Sequence, residues 1–350
     1  MDLEPFGRRE LFAGTGGLFL CTIAGQKIFA DRGEADLGKL SEEIRVPPKV
    51  AAAEASGTTG AASQAVLARA GGTRREYWIR AEKAKWNIVP TGRDAMMDQK
   101  IKGKTKFTAW AYRPYSANFE APIGPPTIPG PTIDCEIGDT VVVNFQNMVD
   151  SPVTMHPHGI FYAQEMDGAY KGRHTDPGGF VQRKQIFQYV WEAVPGTEGS
   201  WLYHDHGPME PMPVYKGLFG PLIVRATGST PADREFFVAF HSFQPPATGL
   251  PTAFSCINGY AYPGNAPTLR TNVGESVAFH VFAIDNDFHT FHIHGHRWVD
   301  ESGTVVDNKT LGPGDSMTAS FIEDNPGRWL YHCHVWSHIS SGMNGWYIVN

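Results

Sequence analysis

Four stretches of this chain recur in the same order, and that repetition constrains its fold more than any other feature. GPTIDCEIGDTVVVNF at 130–145 aligns with APTLRTNVGESVAFHV at 266–281, and VTMHPHG at 153–159 with HTFHIHG at 289–295. GSWLYHDHGP at 199–208 aligns with GRWLYHCHVW at 327–336, and GLFGPLIV at 217–224 with GMNGWYIV at 342–349. Two copies of one domain are therefore expected, over 75–228 and 229–350. Within each copy, short runs such as TVVVNF and SVAFHVF alternate apolar and polar residues between turn signals such as PGG and PGD. No long run has a helical period, so the expected fold class is all-β, as two tandem β-sandwich domains.

A length of 350 residues accommodates two such cores, and 38 glycines, 26 prolines and 12% aromatic residues suit a turn-rich β protein. The net charge of −6 and the lack of a basic run argue against a nucleic-acid partner. Four cysteines are too few for a disulfide scaffold, although Cys135 and Cys256 could pair in an oxidising compartment. At the N-terminus, Arg8-Arg9 precedes a short, glycine-rich apolar stretch, the pattern of a twin-arginine export signal over residues 1–30. The polar and alanine-rich residues 31–74 read as a flexible linker, and the expected location is periplasmic or extracellular.

Side chains at i and i+2 of a strand share a face. His156/His158, His204/His206, His292/His294 and His332/His334 are therefore four same-face imidazole pairs set among apolar neighbours. Burying an unpartnered polar group costs about 1–3 kcal/mol. Eight such rings would consume roughly 10 kcal/mol, comparable with the ~5–15 kcal/mol stability of a domain. A metal that uses the lone pairs removes the cost. Imidazole suits zinc, copper, iron or nickel, and the thiol narrows the choice. Cys333, His338 and Met343 lie in HCHVWSHISSGM, and His289 stands three residues before His292. Two histidines, a thiolate and a weak axial methionine form a blue-copper ligand set. In the first copy Val153, Asp205 and Leu218 occupy the places of His289, Cys333 and Met343, so this set is present once.

These motifs resemble the multicopper oxidases, most closely the two-domain (small) laccase type, over about residues 75–350. The resemblance implies two cupredoxin-like domains and four coppers per chain. His289, Cys333, His338 and Met343 would hold the type 1 ion, and His156 and His292 the type 2 ion. His158, His204, His206, His294, His332 and His334 would hold the type 3 pair. It implies that donors deliver electrons at the His338 edge and that Cys333 passes them through His332 and His334 to a cluster reducing dioxygen to water. Tyr162 and Asp167 match residues assigned near the cluster and to proton delivery. Each domain supplies half of a cluster, so the resemblance implies a homotrimer with clusters at subunit interfaces. The default donors are phenols and aromatic amines. Mn, Fe or Cu ions are the alternative, because residues 75–120 also resemble the start of ceruloplasmin-like domains.

A copper nitrite reductase would place its thiolate in the first domain and use fewer histidines, and an electron carrier would need only the four type 1 ligands. Of the remaining residues, Asp205 is expected to orient the ligands beside it, and His296 to support a ligand or face solvent. His174, His241 and His280 read as core or surface groups, and Met209 and Met212 as packing residues.

Overall fold

The computed structural model describes residues 19–23, 26–30 and 72–350. Within the expected signal segment, Phe19–Ile23 pairs antiparallel with Gln26–Ala30. The rest of that segment, and the linker up to residue 71, lie outside the described residues.

The first sandwich is built from β1 (Arg74–Asn87), β2 (Lys106–Tyr115), β3 (Ile133–Glu136), β4 (Thr140–Asn147), β5 (His156–Pro157), β6 (Ile186–Glu192), β7 (Gly199–His204) and β8 (Phe219–Arg225). Its sheets run in the orders β6-β4-β1-β2 and β3-β8-β7-β5. The second sandwich uses β9 (Arg234–Phe243), β10 (Phe254–Ile257), β11 (Leu269–Thr271), β12 (Ser276–Ala283), β13 (His289–Ile293), β14 (Asn308–Leu311), β15 (Ser316–Ile322), β16 (Gly327–Cys333) and β17 (Asn344–Val349). Its orders are β10-β9-β12-β15 and β11-β17-β16-β13-β14. The duplication extends to the pairing itself. β1 lies parallel to β4 as β9 does to β12, and β8 parallel to β3 as β17 does to β11.

Alternation along the strands explains which faces are buried. Val141, Val143 and Phe145 of β4 point into the first core, and Val277, Phe279 and Val281 of β12 into the second. β1 serves two cores with its two faces. Ile79 and Ala81 enter the first sandwich, whereas Ala84 and Trp86 join Phe107, Phe243, Phe254 and Phe282 in a third core between the halves. Cys135 belongs to the first of these cores and Cys256 to the third, both as free buried thiols, so the two do not pair.

The histidine segments emerge at corresponding sheet ends. β7 pairs with β5 so that His204 faces His156, and β16 pairs with β13 so that His332 faces His292. The turn after each H-x-H needs glycine, because Gly159 and Gly295 have φ of +70° and +72°. A Cβ on Gly159 would also fall 2.0 Å from the Trp201 ring.

Candidate metal centre

β13, β16 and the short helix Trp336–Ser340 bring His289, Cys333 and His338 together, with ligand atoms within 4.8 Å of one another. Cys333 Sγ lies 3.6 Å from His338 Nδ1 and accepts the Thr290 N–H at 3.4 Å. Met343 is held beside them: its N–H donates to the His338 carbonyl at 3.0 Å, and its carbonyl accepts the Cys333 N–H at 3.1 Å. Burial alone would raise the thiol, but His289, His338 and two backbone N–H groups outweigh it and bring Cys333 down to about 6. The side chain is thus ready to act as a thiolate near neutral pH.

His289 carries a partner that sequence reading missed. Its Nε2 sits 2.9 Å from Asp285 Oδ1, and both groups are buried. That bond leaves Nδ1 as the nitrogen facing Cys333, and this buried atom has no protein partner. An orphaned imidazole nitrogen, a thiolate, a second imidazole and a buried thioether fit a copper ion. The i−4 spacing of an acid before a ligand was the available signal for Asp285.

The first half preserves the frame of this site and loses its ligands. Asp205 N–H donates to the Leu218 carbonyl as Cys333 N–H does to Met343. The hydroxyl of Thr154 accepts the His206 N–H at 3.0 Å, as Thr290 does for His334. Where Thr290 N–H meets the thiol sulfur, Thr154 N–H meets Asp205 Oδ1 at 2.7 Å, and the other oxygen accepts the Gly207 N–H at 3.3 Å. Asp205 therefore ties the strand bearing His156 to the loop bearing His206, acting through backbone as a positioning residue. Val149 and Val153, both buried, stand at the repeat positions of Asp285 and His289.

The eight histidines of the H-x-H pairs gather in two corresponding sets. His158 Nε2 faces His204 Nε2 at 3.0 Å, and His294 Nε2 faces His332 Nε2 at 3.1 Å. His156 and His292 approach these pairs, with Nδ1 atoms bonded to the carbonyls of Asp167 and Asp307, which turns each Nε2 inward. His206 and His334 complete the sets, at ring separations of 5.1 Å from His156 and 5.4 Å from His292. Burial and the neighbouring rings push His158, His204 and His332 down to about 4, 3 and 4, so these rings are neutral and keep lone pairs for a metal. The burial suggested by their apolar neighbours is uneven. His204 and His332 are buried, whereas His294 and His334 are exposed. Among the described residues, no group of three or more potential metal ligands mixes the two halves.

Around the first set, Asp167 lies 3.2 Å from His156 Nδ1 and 2.7 Å from Lys171 Nζ. Burial opposes ionisation of Asp167, but Lys171, His156 and Tyr162 outweigh it and lower its pKa. Tyr162 packs edge-on against His156, and burial with the Asp167 charge raises its hydroxyl to about 12. Glu210, another residue not anticipated, pairs with His206 Nδ1 at 2.7 Å. It stands at the repeat position of His338, which was the signal for it. His174 packs edge-on against Phe180, whereas His241 and His280 are buried in hydrogen-bonded positions. Met209 is half exposed, so it packs only in part.

The Multicopper oxidase family pattern matches residues 126–229 and again 239–350. The chain is 33% identical over 64% of its length to a Kuenenia stuttgartiensis protein named "Probable nitrite reductase-hydroxylamine oxidoreductase fusion protein". It is 28% identical over 81% of its length to the ferroxidase HEPHL1 of Mus musculus. It spans only 28% and 30% of those two relatives. A solved multicopper oxidase structure shares the fold with a TM-score of 0.64 and 24% identity, over 79% of this chain and 89% of that one. With the family pattern matched over both halves that carry the histidine sets, and a His–Cys–His group able to hold a metal in the second, this chain belongs to the multicopper oxidase family.

Proposed function

We propose that the protein oxidises a small donor at the Cys333 site and reduces dioxygen at a cluster made from the eight histidines of the H-x-H pairs. Copper, when bound, supplies one-electron acceptance at the thiolate and the multi-electron reduction of dioxygen at the histidines. One observation carries this reading. Cys333 points into one ligand set while its chain neighbours His332 and His334 belong to the other, so a covalent path joins the two. In this assignment His289, Cys333, His338 and Met343 hold one ion, His156 and His292 a second, and the other six histidines a pair. The largely buried His338 ring presents the site to the donor, and Tyr162 and Asp167 lie against His156 for proton delivery.

Exposure of His294 and His334, and the separation of the two sets in the ligand grouping, support completion of each cluster by a second copy in a homotrimer. The Arg8-Arg9 segment supports export. The test is threefold: copper per chain, intense visible absorption, and oxygen uptake with a phenolic donor. One copper per chain, or nitrite reduction without oxygen uptake, overturns the assignment. A monomer that remains active by light scattering at assay concentration overturns the trimer.

A metal-ion donor is the second reading. Asp287 Oδ2 lies 3.8 Å from His338 Nε2 and is well exposed, placing an oxygen ligand for a hard cation at the point of electron entry. The name of the HEPHL1 relative supports the same reading.

A further inference from the structure

A buried polar chain underlies the second histidine set and has no counterpart in the first. His296 Nδ1 donates to the His294 carbonyl at 2.7 Å, and its Nε2 lies 2.9 Å from Glu323 Oε1. Glu323 also accepts the Asn325 N–H at 3.0 Å and the Tyr347 hydroxyl. His296, Glu323 and Tyr347 are exposed by only 6%, 1% and 0%.

The repeat supplies its own comparison. Ile160, Ala193 and Leu222 stand at the corresponding positions and are equally buried. The correspondence is fixed by backbone: Ala193 N–H donates to Asp139 O as Glu323 N–H does to Glu275 O. Gly220 also pairs with Tyr203 as Gly345 does with Tyr331, which sets Leu222 against Tyr347. The same fold thus closes over an apolar triplet. A buried ionic network is frequently no more stabilising than apolar residues of similar shape. Stability of the sandwich does not explain the polar chain.

Its upper end does. The carbonyl that His296 holds belongs to His294 and opens the left-handed Gly295 turn, so fixing it fixes the peptide from which the His294 ring projects. His294 is exposed, unlike its half-buried counterpart His158, and has less packing to hold its ring opposite His332. We propose that His296 and Glu323 are positioning residues that hold His294 ready for metal, Tyr347 fixing the Glu323 carboxylate from below. This rests on the reading that the histidine sets bind copper.

The test transplants the first half's triplet as His296→Ile, Glu323→Ala and Tyr347→Leu in the full chain. The variant is expected to fold, with an unfolding temperature at or above wild type and an unchanged blue absorption. Its affinity for the histidine-bound copper falls about 10–100-fold, the usual effect of removing a ligand's supporting partner. This is read as copper lost to a chelator that the wild type resists. Retention of wild-type, chelator-resistant copper by the folded variant overturns the proposal. Should the triple variant misfold, His296→Leu and Glu323→Gln are put through the same titration, and copper retention in both has the same meaning. Failure of the functional reading is distinguishable, because the wild type would then bind a single copper before any substitution is made.

Discussion

Asp205→Ala isolates what the first half holds at the repeat position of the Cys333 thiolate. The carboxylate accepts two buried backbone donors, Thr154 N–H at 2.7 Å and Gly207 N–H at 3.3 Å. Leaving a buried donor unpaired costs about 1–3 kcal/mol, so the short bond and the longer one together come to roughly 4 kcal/mol. Part of this is offset, because burial pushes Asp205 up to about 7 and an ionised carboxylate there is itself costly. A net loss of about 2–3 kcal/mol is expected for the copper-free protein, and about 1 kcal/mol for Asp205→Asn, which keeps one acceptor oxygen.

The sign of the pH dependence follows. A carboxyl raised from 3.8 to about 7 contributes stability below its unfolded value and loses that contribution as pH rises through 7. The advantage of wild type over Asp205→Asn therefore narrows between about pH 4 and 7. Urea titration followed by tryptophan fluorescence, with Trp191 and Trp201 reporting the first half, measures both effects. The copper-loaded Ala variant keeps the blue absorption, since the thiolate set lies in the other half. An Ala variant within about 0.5 kcal/mol of wild type, or one that loses the blue absorption while its first half stays stable, refutes the reasoning.

Asp285→Asn removes a buried negative charge from His289 and destabilises the oxidised ion more than the reduced one, so a redox titration of the blue band should show a higher potential and copper affinity about tenfold lower. Asp287→Ala should lower the rate of Fe(II) or Mn(II) oxidation several-fold more than that of a phenol, since a cation gains from an adjacent carboxylate. Equal effects on both donors in steady-state kinetics would remove the metal-ion reading. Asp167→Asn takes the carboxylate from between His156, Tyr162 and Lys171, and oxygen uptake should slow about tenfold or more with an altered pH profile, while donor-driven bleaching of the blue band stays unchanged.

Much of the site was legible because its information is short-range. The i, i+2 spacing placed imidazoles on one strand face, and the near-identical repeats showed where Cys333 had been exchanged for Asp205. Asp285 and Glu210 were equally close in sequence, four residues from His289 and His206, but their spacing and repeat position alone do not say that an acid turns toward the ring, which the fold decides. Other features were out of reach. Thr154 meets Asp205 across 51 residues, and His296 meets Glu323 across 27, through strand pairings that no local pattern specifies.

The sequence by itself determined the duplication, the all-β class and the positions of the thiol and the paired imidazoles proposed as ligands, because alternation and repeat spacing are properties of the chain read one strand at a time. Only the tertiary structure decided which nitrogen of His156, His289 and His292 is held by a protein oxygen, that Asp205 takes the acceptor place of a sulfur, that Cys135 and Cys256 lie in separate cores, and that the second histidine set rests on a buried polar chain. Those outcomes depend on which groups meet when sheets stack, and a buried donor or charge is tolerated only where that stacking brings it a partner.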